Sequence, residues 1–279
     1  MWLIALIVCA LGPVSGLAQT KEEKKYTLRA EEVDEEIMGT KDPFFAVNAV
    51  PANYSSASAV ILAKKIELYS DLKSKVRFSI FYGKNVTNII RYSLTIREKI
   101  KIQDKNALAE YTEFTFNKLR RQSSFFRKSA AFIGITVIKQ DGSIKKIDID
   151  DEAVNAATEE EKDKYKLAIP GLQVGDIIDI YSRVEKESSS DNPIEPLDIV
   201  LGGDYPIIDY FFSTRIRNDF AVIYTTSNGA PKPVEKRDED FIYLSMAFKD
   251  IQKTPDQLWL YEKRELPVFR INIFPGSYG

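Results

Sequence analysis

Asp176 and Asp179, three residues apart in the run Gly175-Asp176-Ile177-Ile178-Asp179, are the first side chains to weigh for chemistry. Two carboxylates can divide acid and base work between them, as in glycoside hydrolysis, where they flank the bond to be cut. Linear spacing sets no such separation in space, and the local strand pattern accounts for both residues without catalysis. A second acidic group, Asp148 with the carboxylates of Asp150 to Lys164, has the charge for calcium. It lacks the alternating Asp/Asn ligands, central Gly and closing Glu that a calcium loop requires. Cys9 is the only cysteine and there is no histidine. That removes Ser-His-Asp and Cys-His arrangements, the usual zinc sites and the commonest general base near neutral pH. Carboxylates, Lys, Tyr and Ser remain. No residue qualifies as catalytic, cofactor-binding or metal-ligating, and no cofactor is expected.

The elements that would position such residues read mostly as strands. Ile169-Pro170-Gly171-Leu172 suits a type II turn, because Pro presets φ and Gly accepts φ > 0. Beyond Gly175, Ile178, Ile180, Ser182 and Val184 alternate with Ile177, Asp179, Tyr181 and Arg183, the pattern of a half-buried strand. Upstream, Val60, Leu62, Ile66 and Leu68 are expected to share a face of a strand over Ala59 to Tyr69. Val76, Phe78, Ile80 and Tyr82 share another over Lys75 to Tyr82, a turn follows at Gly83-Lys84-Asn85, and Ile90, Tyr92, Leu94, Ile96, Ile100 and Ile102 line a long strand. Glu110 to Phe116 and Ala131 to Lys139 read as strands. Asp141-Gly142 predicts a hairpin turn with two positive φ angles, leading to Ile144 to Ile149. Further strands are expected at Ile207 to Arg217, Phe220 to Thr226 and Phe241 to Phe248, with a turn at Ser227-Asn228-Gly229.

Ala30 to Met38, stopped by Gly39, and the Ala- and Glu-rich Asp150 to Lys164 are the helical candidates; Glu185 to Pro196 reads as a loop. Many strands, two short helices and no strand-helix alternation predict an all-β fold, an antiparallel β-sandwich with one or two short peripheral helices. The expected divisions are a signal peptide over 1–18, a leader with a short helix over 19–58, the sandwich over 59–250, and a C-terminal strand or linker over 251–279.

Met1 to Ala18 is apolar, broken at Gly12-Pro13, and ends in small residues before the charged Lys21 to Lys25. It reads as a secretory signal cleaved after Ala18, so the chain is expected in the periplasm or cell envelope, without a membrane span after cleavage. Asn53-Tyr54-Ser55 and Asn85-Val86-Thr87 match the glycosylation pattern, which matters only in a glycosylating host. Thirty-nine basic and 41 acidic residues give a net charge of −2, with no footprint for nucleic acid. The local cluster Lys118, Arg120, Arg121, Arg127 and Lys128 reads as a solvated face. Tyr205, Tyr210, Phe211 and Phe212, near Gly202-Gly203, form either an aromatic binding surface or part of the core.

Taken in order, Ala57 to Asp71, Tyr92 to Ile102, Gln140 to Asp148, Leu167 to Glu185 and Tyr205 to Ile216 resemble the bacterial domain of unknown function that precedes transglutaminase-like domains in exported envelope proteins. The resemblance covers about Ala57 to Pro275, and its most specific element is the Pro-Gly turn, Gly-Asp and strand combination. It implies a non-catalytic sandwich that supports or presents a transglutaminase-like, cysteine-peptidase-like domain downstream in the same polypeptide, its partner in cis. The family's Cys, His and Asp triad has no counterpart in this chain, so the chain is expected not to be an enzyme and to be a fragment or a stand-alone module. The alternative expectation is a module that binds envelope protein or glycan.

Overall fold

The computed structural model describes residues 21–79, 83–117, 121–123, 127–148, 153–155, 164–189, 194–254 and 262–276. Two compact units divide the chain at Gly39. The first contains α1 (Lys21–Asp34), which continues as a π-helical turn over Glu35–Gly39. This helix begins earlier than expected, and Arg29 bonds Glu32 at 2.9 Å and Glu36 at 3.0 Å along it. The signal-peptide expectation for 1–18 lies outside the described residues.

The second unit is all-β, as its alternation predicts, with few helices. Its strands are β1 (Ala59–Ser79), β2 (Gly83–Ile102), β3 (Glu113–Asn117), β4 (Arg121–Ser123), β5 (Arg127–Ile138), β6 (Ile144–Ile147), β7 (Ala153–Asn155) and β8 (Lys164–Ala168). There follow β9 (Ile177–Ser189), β10 (Leu197–Val200), β11 (Ile207–Arg217), β12 (Phe220–Ser227), β13 (Val234–Arg237), β14 (Phe241–Ile251) and β15 (Val268–Pro275). Helices α2 (Lys105–Thr112) and α3 (Glu262–Glu265) complete it. The main sheet has nine strands in the order β13-β14-β11-β1-β2-β9-β5-β4, with β6 also on β5. Three-stranded sheets β10-β15-β12 and β3-β8-β7 accompany it.

The two larger sheets share one core. Ile66, Leu68, Ile100, Phe212 and Leu244 of the main sheet cluster with Ile199, Phe269, Ile271 and Ile273 of the second. The Phe212 and Phe269 rings lie 5.3 Å apart across the layer. That is sandwich packing, driven by removal of the alternate apolar side chains from water. β15, within the expected C-terminal strand or linker over 251–279, is the central strand of the second sheet.

Several local expectations change for physical reasons. β1 and β11 pair in parallel from Ile61↔Ile207 to Ser70↔Ile216, so the sheet is not wholly antiparallel. The register of β1 shifts between Ile61 and Ala63. That bulge turns the strand over, so Val60 and Leu62 join Tyr54 and Ile177 in a small separate cluster while Ile66 and Leu68 enter the main core. Asp104 accepts bonds from the Asn106 and Ala107 backbone N–H groups at 2.8 and 3.0 Å, and this cap makes 105–112 helical, so the strand expected from Glu110 starts at Glu113. In the Asp141-Gly142 turn only Gly142 has a positive φ, +84°. Asp141 keeps a negative φ because its carboxylate accepts the Ser143 backbone N–H at 2.8 Å.

Ala153–Asn155, inside the expected helix, is a strand paired with β8, which itself starts at Lys164. Sheet pairing there overrides helical propensity; the rest of 149–163 lies outside the described residues. β9 runs on to Ser189 because β2 and β5 both pair with it there, shortening the expected loop. Ser79 pairs with Gly83, Phe78 with Lys84 and Arg77 with Asn85, so Gly83-Lys84-Asn85, expected as a turn, lie in β2; residues 80–82 lie outside the described residues.

The Pro-Gly turn behaves as predicted: Gly171 has φ +74°, and a Cβ there would meet nothing within 4 Å. The cost of Gly171→Val is therefore conformational. We expect a loss of about 1–2 kcal/mol, seen as a lowered thermal midpoint; an unchanged melt would contradict the turn assignment.

Candidate functional site

The residues around the Pro-Gly turn are tied together by one buried carboxylate. Asp176 is fully buried; its Oδ2 accepts from Lys139 Nζ at 2.5 Å and from the Gln173 backbone N–H at 2.8 Å. Lys139 Nζ also donates to the Gly171 carbonyl at 2.8 Å. The hairpin residue Lys139 thus clamps the turn that precedes β9.

Asp179 lies on the face of the main sheet opposite the core. Arg97, from β2, donates to it through two nitrogens at 2.9 and 2.8 Å, a fork that fixes both partners. The same guanidinium sits 4.1 Å from the centre of the Phe45 ring. Lys99, also buried, donates to the Phe45 carbonyl at 2.7 Å, and burial lowers its pKa against the opposing pull of Asp179. Further along this face Arg183 donates to Thr95 at 2.8 Å, Lys65 bonds Asp42 at 3.0 Å, Asp71 binds Arg91, and Arg215 stacks 4.0 Å from Phe241. Asp176 and Asp179 are therefore anchored separately, one to the turn through Lys139 and Gln173 and the other to β2 through Arg97.

On the core side, β2, β9 and β5 leave a cleft of about 270 Å³. Its walls include Ile96, Ile100, Ile178, Ile180 and Val184, with Glu98, Tyr111, Ser182 and Arg183 among the polar members. Glu98 is held by Lys64 at 2.6 Å. Tyr111 stands 5.9 Å from Tyr205, whose hydroxyl donates to the Glu110 carboxylate. Burial, with Glu98 and Glu110 nearby, pushes the Tyr111 phenol up; burial and the Glu110 bond do the same for Tyr205. Both phenols stay protonated at neutral pH. Tyr92, on β2, is pushed up to about 12 by burial and by Glu195. The cleft offers largely apolar walls and the neutral phenol of Tyr111, which suits holding a ligand better than abstracting a proton.

No family model matches the chain, and no curated protein does. Solved structures do. A Parabacteroides distasonis protein named a "putative protease" is similar at a TM-score of 0.57 and 13% identity, over 78% of this chain and 41% of that one. The chain thus spans less than half the length of that relative, and the likeness is one of fold. An M1 zinc metallopeptidase mutant from Deinococcus radiodurans is similar over 77% of this chain and 42% of that one, at 7% identity and a TM-score of 0.34, too low to carry an argument.

The aromatic group named from the sequence does not form one surface. Tyr210 and Phe212 point into the core, Phe211 points to the opposite face against Phe44 at 6.1 Å, and Tyr205 is buried on Glu110. Within the basic cluster, Arg121 is in β4 and Arg127 and Lys128 are in β5; Lys118 and Arg120 lie outside the described residues. Among the described residues no group of three or more acidic side chains is arranged to hold a metal ion. Lys64 and Glu98 were missed, although each interrupts an alternating apolar run, Glu98 between Ile96 and Ile100. That interruption was the available signal.

Asp198, on β10, gives a pH-dependent test of the second sheet. Arg270 donates to it at 2.5 and 2.8 Å and Lys263 at 2.6 Å, holding its carboxyl well below the usual range against the opposing effect of burial. A depressed folded pKa contributes stability that is complete above the unfolded value, about 3.9, and is lost as pH falls below it. Asp198→Asn should cost about 1–2 kcal/mol at neutral pH and flatten the decline in stability below about pH 4. An acid limb identical to the parent's would contradict this.

Proposed function

We propose that this chain is the non-catalytic β-sandwich module of an exported transglutaminase-like protein, where it supports and presents the catalytic-type domain of the same polypeptide. The observation that carries the proposal is the use made of buried charge. Asp71, Lys99, Asp176 and Asp179 are the buried Asp and Lys side chains among the described residues, and each is bound to a structural partner: Arg91, the Phe45 carbonyl, Lys139 and Arg97. Their chemistry is spent on holding strands and turns. The likeness to 41% of a longer chain supports a module within a larger protein.

The test is to read the coding frame past Gly279 and assay the encoded polypeptide for acyl-transfer or peptidase activity. A downstream Cys, His and Asp set whose Cys→Ala variant is inactive is the expected result. A stop codon directly after Gly279 would overturn the proposal. A second reading, a module that binds envelope protein or glycan, is favoured by the apolar cleft beside Tyr111. Pull-down and glycan-binding assays that recover no ligand would count against it.

A further inference from the structure

β1 and β2 outrun the sheet they anchor. β1 pairs with β11 only as far as Ser70, and β2 pairs with β9 only from Ile89 onward. From Ser74↔Asn88 to Ser79↔Gly83 the described pairing is between β1 and β2 alone. At about 3.3 Å per residue this is a two-stranded arm roughly 20 Å long. Such a ribbon is marginally stable in water by itself. Here it also leaves Val76 and Val86, directly opposite one another, 49% and 52% exposed.

The arm's charge is one-sided. From Leu72 to Asn88 the sequence contains Lys73, Lys75, Arg77 and Lys84 and no acidic residue, in a chain whose net charge is −2. Basic residues interleaved with apolar ones are the composition of segments that lie in the interface of an anionic bilayer. An acidic protein surface would answer the lysines but leave the valine pair without a purpose.

We propose that the β1–β2 arm is a peripheral membrane-binding element that lies against anionic phospholipid. The exposed Lys73 and Lys84 meet the headgroups, and Val76 and Val86 enter the interfacial layer. Contact with the bilayer supplies the burial that an isolated ribbon lacks.

The test is vesicle sedimentation of the chain from Gln19 onward, so that the apolar N-terminal run contributes nothing. Vesicles of phosphatidylcholine alone are compared with vesicles carrying about a third phosphatidylglycerol, at about 0.1 M and 0.5 M salt. Binding is expected to the anionic vesicles only, and to weaken at the higher salt. Lys73→Gln with Lys84→Gln should reduce it about 25-fold, roughly fivefold for each basic side chain. Val76→Ser with Val86→Ser should reduce it at both salt concentrations. These positions are exposed, and unchanged thermal melts check that the variants fold. Equal uptake by neutral vesicles, no uptake by either, or parental uptake by the lysine variant would each overturn the proposal. So would a concentration-dependent dimer, formed without lipid and abolished by the same variants, which would assign the arm to a second copy of the chain.

Discussion

Phe212→Ala is expected to lower the stability of the sandwich by about 3–5 kcal/mol, a large part of what a domain of this size commonly has. Phe212 is completely buried near the middle of β11. Its register partners are Ile66 on β1 and Met246 on β14, and its ring meets Phe269 from the second sheet. Truncation therefore opens a cavity walled by both layers, with rigid strands on three sides that cannot collapse into it. Urea unfolding should give a lower midpoint with the slope unchanged. Phe211→Ala, one residue away but half-buried on the opposite face against Phe44, should cost much less. Equal losses for the two variants would contradict the assigned faces.

Asp179→Ala is expected to be comparably damaging, at about 3–5 kcal/mol, for an electrostatic reason. The Arg97 and Asp179 side chains are only 11% and 9% exposed. Removing the carboxylate takes away the acceptor that matches the guanidinium fork and leaves that buried charge, with Lys99 close by, poorly compensated. The double change Arg97→Met with Asp179→Leu should recover most of the loss, because two apolar side chains of similar volume carry no charge to compensate. A double-mutant cycle from thermal unfolding measures this directly. A stable Asp179→Ala single variant, or a double variant no better than the single, would contradict the structural role.

The strands whose alternation is unbroken were legible in the sequence. β2 and β9 carry their apolar residues on the expected faces, and β11 has the expected limits, because period two maps directly onto the two sides of a sheet. The turn glycines Gly171 and Gly229 were legible for a similarly local reason, since only a positive φ makes a glycine worth its place there. What stayed hidden depends on distant pairing. The bulge at Leu62 exchanges the faces of β1 without any local mark, and the parallel β1–β11 pairing joins segments far apart in the chain. Helix α2 was hidden because its Asp104 cap precedes a stretch rich in strand-forming Tyr, Thr and Phe. For the candidate site, the buried carboxylates could be named but not paired. Arg97 reaches Asp179 only once the β2–β9 register is known, and Lys64 reaches Glu98 only after the bulge has turned β1 over.

The most direct test of the proposed role is the intact mass of the native polypeptide that carries this sequence, isolated from the cell-envelope fraction. As a module presenting a downstream domain, it should appear in a polypeptide well above the 31.8 kDa of these 279 residues. A native envelope protein whose mass equals that of this chain alone, with or without residues 1–18, would contradict it.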